Sequence, residues 1–216
     1  MGNGDGNMKV LIINYNRLKL PVKLADWVFL RGCDPVFIDN ASDYRPLLEY
    51  YDNCPYEVVK MDANYGKGVV WDQGLLKRLN IRGEYIVTDP DLDLSGVPSD
   101  FLNVLREGLK RYPQFNKCGF SLEIDDITDN SLYYMGQTIK QWEQQFWVSP
   151  MDSEYFNASI DTTFALYNTD IFSLSALRTN RPYTARHVPW YYDQGRPKDE
   201  LYYLQTATDQ SNIIQR

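Results

Sequence analysis

Residues 85–96 read YIVTDPDLDLSG: four strand-forming residues run into three carboxylates at alternate positions, Asp89, Asp91 and Asp93. Alternate residues of an extended segment point to one side. At least two negative charges therefore crowd one spot where a buried strand ends. Like charges repel most where water is scarce. A hard divalent cation relieves that repulsion, since it takes carboxylate oxygens and keeps positions open for phosphate oxygens. The plainer alternative is a solvated turn, in which Pro90 breaks the strand and the aspartates cap the next helix. The position of the loop, directly after a core strand, favours the cation.

The elements around this loop alternate with regularity. Strands are expected at KVLIINY (9–15), PVFIDN (35–40), YEVVKM (56–61) and EYIVTD (84–89). Between them the pattern predicts a helix over 22–31, with Pro21 at its start and Gly32 after it. A second covers YRPLLEYY behind the caps Ser42 and Asp43, and a third runs over 69–79. A fourth follows the cap region Ser99-Asp100, with Phe101, Leu102, Val104, Leu105 and Leu109 at helical spacing. Strand-helix alternation of this kind makes a mostly parallel sheet covered by helices, and such sheets bind ligands beyond the carboxyl ends of their strands. Polar clusters sit at those ends: Asn14-Tyr15-Asn16-Arg17, Asp39-Asn40, Asn64 to Gly68, and the aspartate loop.

The second half is less regular. KCGFSLEI (117–124) and TTFALY (162–167) read as strands, separated by a helix carrying Ile139, Trp142, Phe146 and Trp147. After Tyr167 the pattern predicts a short helical piece, the loop RPYTARHVPWYYDQGRPKDE and a final helix. Without repeats or a linker, residues 9–216 read as one α/β domain behind a flexible leader, 1–8.

Composition narrows the function. A hydrophobic fraction of 44% and a charged fraction of 24% are those of an ordinary globular chain. The net charge of −7 argues against a nucleic-acid partner, which needs a basic face. Cys33, Cys54 and Cys118 are odd in number and widely spaced, which fits a reducing cytosol better than a disulfide framework or a zinc site. The apolar runs are too short to span a membrane, and the N-terminus lacks the basic and apolar regions of a signal peptide. A calcium loop counted from Asp89 has Leu94 where it needs Gly and Asp100 where it needs Glu. Neither a P-loop nor a GxGxxG fingerprint occurs. A phosphatase using an Asp nucleophile in the aspartate loop, with Asp125-Asp126 as a later metal pair, is an alternative. Its nucleophile would normally follow the first strand, whereas three strands come earlier here.

Several segments taken in order resemble the nucleotide-sugar-dependent glycosyltransferases of the GT-A fold, over nearly the whole chain. LIINYNR is similar to the opening strand and loop of those enzymes, with Asn14 departing from the usual residue. VFIDNAS is similar to the element whose Asp meets the nucleotide base, here Asp39, and NYGKG to a segment near the nucleotide that contains Asn64 and Lys67. TDPDLD then stands as the DxD motif, and IDTTFALYN with YTARHVPWYYD resembles a compact bacterial or viral subgroup.

The resemblance implies a single GT-A, Rossmann-like domain with a nucleotide-binding half, 9–96, and an acceptor- and sugar-binding half, 97–216. It implies a hexosyl-type transfer from a nucleotide diphosphate sugar, UDP favoured, to a glycan or glycoconjugate, with Mn²⁺ or Mg²⁺. Asp91 is the expected direct metal ligand and Asp89 a contact of ribose or metal. The only histidine, His187, is followed by Val-Pro-Trp and resembles the histidine that completes the metal site in some retaining members. Arg17, Lys67 and Arg186 are the candidate phosphate cations, and Tyr15 the candidate base-stacking ring; Asn14 and Asn16 complete the nucleotide loop. For the carboxylate that acts on sugar or acceptor, Asp161, Glu123, Asp125 and Asp126 are the candidates. The alternatives that stay open are the phosphatase and a non-catalytic nucleotide-sugar-binding domain of a longer protein.

Overall fold

The computed structural model describes residues 7–128, 133–192 and 195–207. Most of the expected leader, and the C-terminal segment QSNIIQR, lie outside them. The first half runs β1 (Lys9–Asn14), α1 (Lys19–Phe29), β2 (Asp34–Asp39), α2 (Arg45–Tyr51) and β3 (Glu57–Lys60). A single 3₁₀ turn, Gly66–Gly68, leads to α3 (Val69–Asp72), α4 (Leu75–Arg78) and β4 (Tyr85–Thr88). The second half follows as β5 (Leu92–Asp93), α5 (Phe101–Arg111), β6 (Lys117–Leu122), β7 (Tyr133–Tyr134), β8 (Gln137–Thr138) and α6 (Ile139–Gln144). It ends with β9 (Tyr155–Asn157), β10 (Ala165–Tyr167), β11 (Leu177–His187) and α7 (Lys198–Thr206).

The main sheet has the order β3-β2-β1-β4-β10-β6-β11-β5, with β9 also paired to β11. β3, β2, β1 and β4 are parallel, as the alternation of strands and helices requires. β10 runs antiparallel between β4 and β6, so the sheet is mixed. β1 is buried on both faces. Val10 and Ile12 pack on one side with Leu24, Val28, Phe101 and Leu105, while Leu11 and Ile13 pack on the other with Val69, Val70, Leu75 and Tyr167. That two-sided burial explains why the strand reads as a continuous apolar run. The chain is thus an α/β unit whose one sheet extends across both expected halves.

Several expected elements shift. The helix expected over 69–79 is two short ones, because Gly74 takes a left-handed conformation, φ +60°, between them. Ser42 and Asp43 do not cap α2, whose first turn carries no side-chain cap. They bind Asn16 instead: its N–H donates to Ser42 Oγ at 2.8 Å and its Nδ2 to Asp43 at 2.8 Å. The largest difference is β11, eleven residues of strand where a short helix and a loop were expected. Its residues are polar, and it contains Pro182 and an irregularity between Thr179 and Thr184, so it shows little period-two signal. Gly119 on β6 lets β10 approach closely, since a Cβ there would stand 2.5 Å from the Phe164 carbonyl and 2.7 Å from Ala165 Cβ.

Candidate functional site

Two cavities open at the carboxyl ends of the parallel strands, and both are lined by Lys67, Asp89 and His187. The first, about 140 Å³, is bounded by the loop after β1 (Asn14, Tyr15, Arg17), Asn40, Asn64, Asp91, Arg196 and the α7 residues Glu200 and Tyr203. The second, about 300 Å³, is bounded by Tyr134, Trp142, Glu143, Phe146, Asp161, Arg178 and Trp190.

The aspartate loop supplies two of its three carboxylates to these cavities. Asp89 lies between them and accepts the Thr162 hydroxyl at 2.6 Å. Burial first, and then the charges of Asp161 and Asp91, hold its carboxyl well above the usual range. Asp91 is buried beside His187, with His187 Nε2 3.4 Å from Asp91 Oδ2. The antiparallel pairing of Leu92 with His187 on β11 is what brings them together. Asp93 instead accepts Ser95 N–H at 2.9 Å and pairs with Lys23, so it caps its own turn.

Could these groups hold a metal? Asp91 Oδ1 and His187 Nδ1 are buried without a hydrogen-bond partner among the described residues. Burial keeps the imidazole below its ordinary pKa, in the neutral form that ligates metals. Among the described residues no group of three or more His, Cys, Asp or Glu forms a complete cage. The donor set, one carboxylate with a free oxygen, one neutral imidazole and Asp89 beside them, fits a divalent cation that draws its remaining oxygens from phosphate or water.

Arg17 is not free for phosphate. Its Nε and Nη2 donate to Glu200 at 2.7 and 3.0 Å, its Nη1 lies 3.3 Å from Asp91, and its guanidinium sits 3.5 Å from the Tyr203 ring centre. Burial works against that charge, but Asp91 and Glu200 raise its pKa further. Arg186 is likewise engaged, by Asp126 at 2.7 Å, and lines neither cavity. Lys67 reaches Asp161 at 3.3 Å and remains half-exposed. A cation that sequence reasoning missed is Arg196, which lines the first cavity with its buried Nε unpartnered among the described residues. Nothing in the surrounding loop marked it out.

The nucleotide-loop residues divide between lining and support. Asn14 lines the first cavity, ties the Arg17 carbonyl and the Tyr51 hydroxyl through Nδ2, and keeps Oδ1 free. Tyr15 lines it edge-on to Tyr203. Asn64 also lines it, accepting Gly66 N–H at 2.9 Å with Nδ2 unpartnered. Asn16 is buried at φ 55° and organises the loop, accepting the N–H groups of Asp43 and Tyr44. Asp39 is buried and does not line the cavity, while its neighbour Asn40 does. Burial raises the Asp39 carboxyl, whose Oδ1 is unpartnered.

Of the four carboxylates considered for the chemistry, only Asp161 lines either of these two cavities. It sits in the bend before β10, four residues ahead of the strand and not at its start as expected. Burial would raise its pKa, but Lys67 and the Thr162 N–H hold it below the usual carboxylate value, so it is ionised at neutral pH. Glu123 is gripped by Arg181 at 2.7 and 2.9 Å and accepts the Ile124 and Asp125 N–H groups; against burial these bonds lower it to about 2. Asp125 pairs with Arg181 at 2.9 Å, and Asp126 with Arg186 and the Tyr191 hydroxyl.

Two further buried groups went unread. Lys117 on β6 donates to the carbonyls of Ile160, Asp161 and Ser173, fixing the backbone that carries Asp161, and burial lowers its pKa to about 8. Arg178 on β11 pairs with Glu143 of α6, donates twice to the Ser159 carbonyl and lies over Phe146. Burial pushes Glu143 up to about 7 against the pull of Arg178. No protein-family model matches this sequence, and no curated protein does.

Proposed function

We propose that the chain is a metal-dependent glycosyltransferase, moving a sugar from a nucleotide diphosphate donor, UDP-linked by preference, to a glycan or glycoconjugate acceptor. The observation that carries this reading is the common wall of Lys67, Asp89 and His187 between a polar cleft and a larger aromatic-lined cavity. A diphosphate at that wall would have its base in one cavity and its sugar in the other.

On this reading Asp91 and His187, with Asp89 beside them, hold Mn²⁺ or Mg²⁺. The cation would neutralise the diphosphate as negative charge grows on the leaving group. Lys67 and Arg196 meet the remaining phosphate charge through charge-assisted hydrogen bonds. Tyr15 offers a face to the base, while Asn14 Oδ1 and Asn64 Nδ2 offer an unpartnered acceptor and donor to base or ribose. Asp161, ionised in the second cavity, stabilises positive charge developing at the anomeric carbon. Residues 9–96 thus serve mainly the nucleotide, with His187 and Arg196 joining them from the later half that serves sugar and acceptor.

An Asp-nucleophile phosphatase is the weaker reading. Its nucleophile, Asp89, is held toward its uncharged form, and its second metal pair, Asp125-Asp126, lines neither cavity. Calorimetric titration of UDP, GDP and CMP, each with and without Mn²⁺, tests the donor site on the wild type and on Asp91→Ala. One nucleotide should bind in a manner that needs both metal and Asp91. Absence of binding by all of them sinks the proposal. Release of UDP from a donor in the presence of acceptors separates the transferase from a non-catalytic nucleotide-sugar-binding domain.

A further inference from the structure

The second cavity contains more chemistry than a transferred sugar alone requires. Its apolar wall is built from Tyr134, Trp142, Phe146 and Trp190. Tyr134 and Trp142 meet edge to face at 4.7 Å, and Trp142 and Phe146 are neighbours at 6.4 Å, so the rings form one continuous surface. Aromatic faces of this kind cover the C–H faces of a pyranose ring, which is apolar above and below and polar around its rim. Trp190 is buried, yet its indole Nε1–H has no partner among the described residues. A buried indole donor normally finds an acceptor.

The polar wall is charged but internally balanced. Arg178 is spent on Glu143 and the Ser159 carbonyl, and Lys67 lies 3.3 Å from Asp161. Each cation has its own carboxylate, and Asp89 beside them is held toward its uncharged form by burial. An anionic ring entering here would lose its hydration and find both cations already engaged by their own carboxylates. A neutral ring would find carboxylate oxygens able to accept its hydroxyls, in the manner of buried polar groups that need partners.

We propose that this cavity selects a neutral hexopyranose residue as the terminal unit of the acceptor, with Trp142 as its stacking surface and the Glu143–Arg178 pair as its specificity determinant. Glu143 and Phe146, one turn apart on the same segment, present the carboxylate and a ring to the cavity together. Arg178 fixes both, through the ion pair and through its place 4.1 Å from the Phe146 ring centre. This deepens the transferase reading and rests on it for the role of acceptor; the neutral-ring site itself is tested by binding alone.

The experiment is a ligand-observed NMR titration at pH 8, where Glu143 is ionised. Methyl glucoside, methyl galactoside and methyl mannoside are compared with methyl glucuronide, and a UDP–Mn²⁺ titration is run on the same sample. At least one neutral glycoside should bind, and the glucuronide should bind about tenfold more weakly or not at all. Trp142→Ala, at a partly buried position and checked for native melting, should weaken the neutral glycoside about tenfold and leave UDP affinity unchanged. Glu143→Gln, checked for native melting, should narrow the gap between neutral and anionic rings. Equal or tighter binding of the glucuronide overturns the inference, as does an unchanged glycoside affinity in Trp142→Ala. Binding of UDP with no binding of any neutral glycoside also overturns it, while leaving the donor site standing. The converse, glycoside binding that depends on Trp142 without UDP binding, supports the sugar site and removes the nucleotide reading.

Discussion

Two buried arginines, Arg17 and Arg178, stand on the two cavities in nearly the same arrangement. Arg17 is held by Glu200 and lies on Tyr203; Arg178 is held by Glu143 and lies on Phe146. In each case the glutamate and the ring are three residues apart, so one side of a single helical segment grips a guanidinium offered by the sheet or its loop. The difference lies in the third contact. Arg17 leans on Asp91, the proposed metal ligand, whereas Arg178 bonds the Ser159 carbonyl, two residues before Asp161. The first clamp therefore adjusts charge at the site and the second adjusts backbone position. Buried ion pairs of this type add little net stability over apolar replacements, but removing one member strands the other. Their contribution here is to fix where two helices sit.

Breaking the clamps one at a time gives the largest expected effects. Arg17→Ala and Arg178→Ala should each lower unfolding free energy by about 3–5 kcal/mol in denaturant melts, because Glu200 or Glu143 is left buried and unpaired. The comparison breaks if the functional losses are the same. Arg17→Ala should impair nucleotide binding far more than sugar binding, and Arg178→Ala the reverse. Next in size, Asp161→Asn should reduce turnover about a hundredfold or more while leaving UDP affinity within about twofold. An unchanged rate would remove Asp161 from the chemistry. A smaller effect sharpens the view that the clamps position more than they stabilise: Arg178→Met combined with Glu143→Leu should recover most of the stability lost in Arg178→Ala. It should not recover discrimination between sugars.

The smallest effect comes from a third arginine pair outside both cavities. Glu123, bonded to Arg181, has its folded pKa lowered from 4.5 to about 2. A depressed carboxylate contributes stability that is fully present above the unfolded value and lost as pH falls through the folded one. Acid unfolding between those values should therefore flatten in Glu123→Gln relative to wild type. The activity at neutral pH should change little, as Glu123 lines neither cavity.

How much of this was legible beforehand depended on the range of the interaction. β1, β2 and β4 were readable because a doubly buried parallel strand is a run of apolar residues with polar residues at its end. The aspartate loop was readable for the same local reason, down to the pairing of Asp89 with Asp91 on one pocket. β11 was not, because LRTNRPYTARH owes its strand conformation to β6, β9 and β5 and not to its own composition. Nor were the clamps: Arg17 and Glu200 stand 183 positions apart, and no local pattern links them. Arg17 and Arg186, candidates for phosphate, are each paired with an acid, and a basic residue in a loop gives no sign of the carboxylate that occupies it. Arg196 escaped attention for the complementary reason.

The place of β10 has a consequence for how the chain comes to be folded. The strand lies between β4 and β6, with Gly119 admitting it at close range. Until residues 165–167 exist, the earlier parallel strands end in β4, whose YIVT is wholly buried in the finished protein. During synthesis that apolar edge waits unpaired through some eighty intervening residues, a state open to association with other nascent chains. The chain before β5 and the chain after it are consequently not separable pieces. A fragment ending near residue 96 should be captured by chaperones or aggregate, and completion of β10 is the event that seals both halves at once.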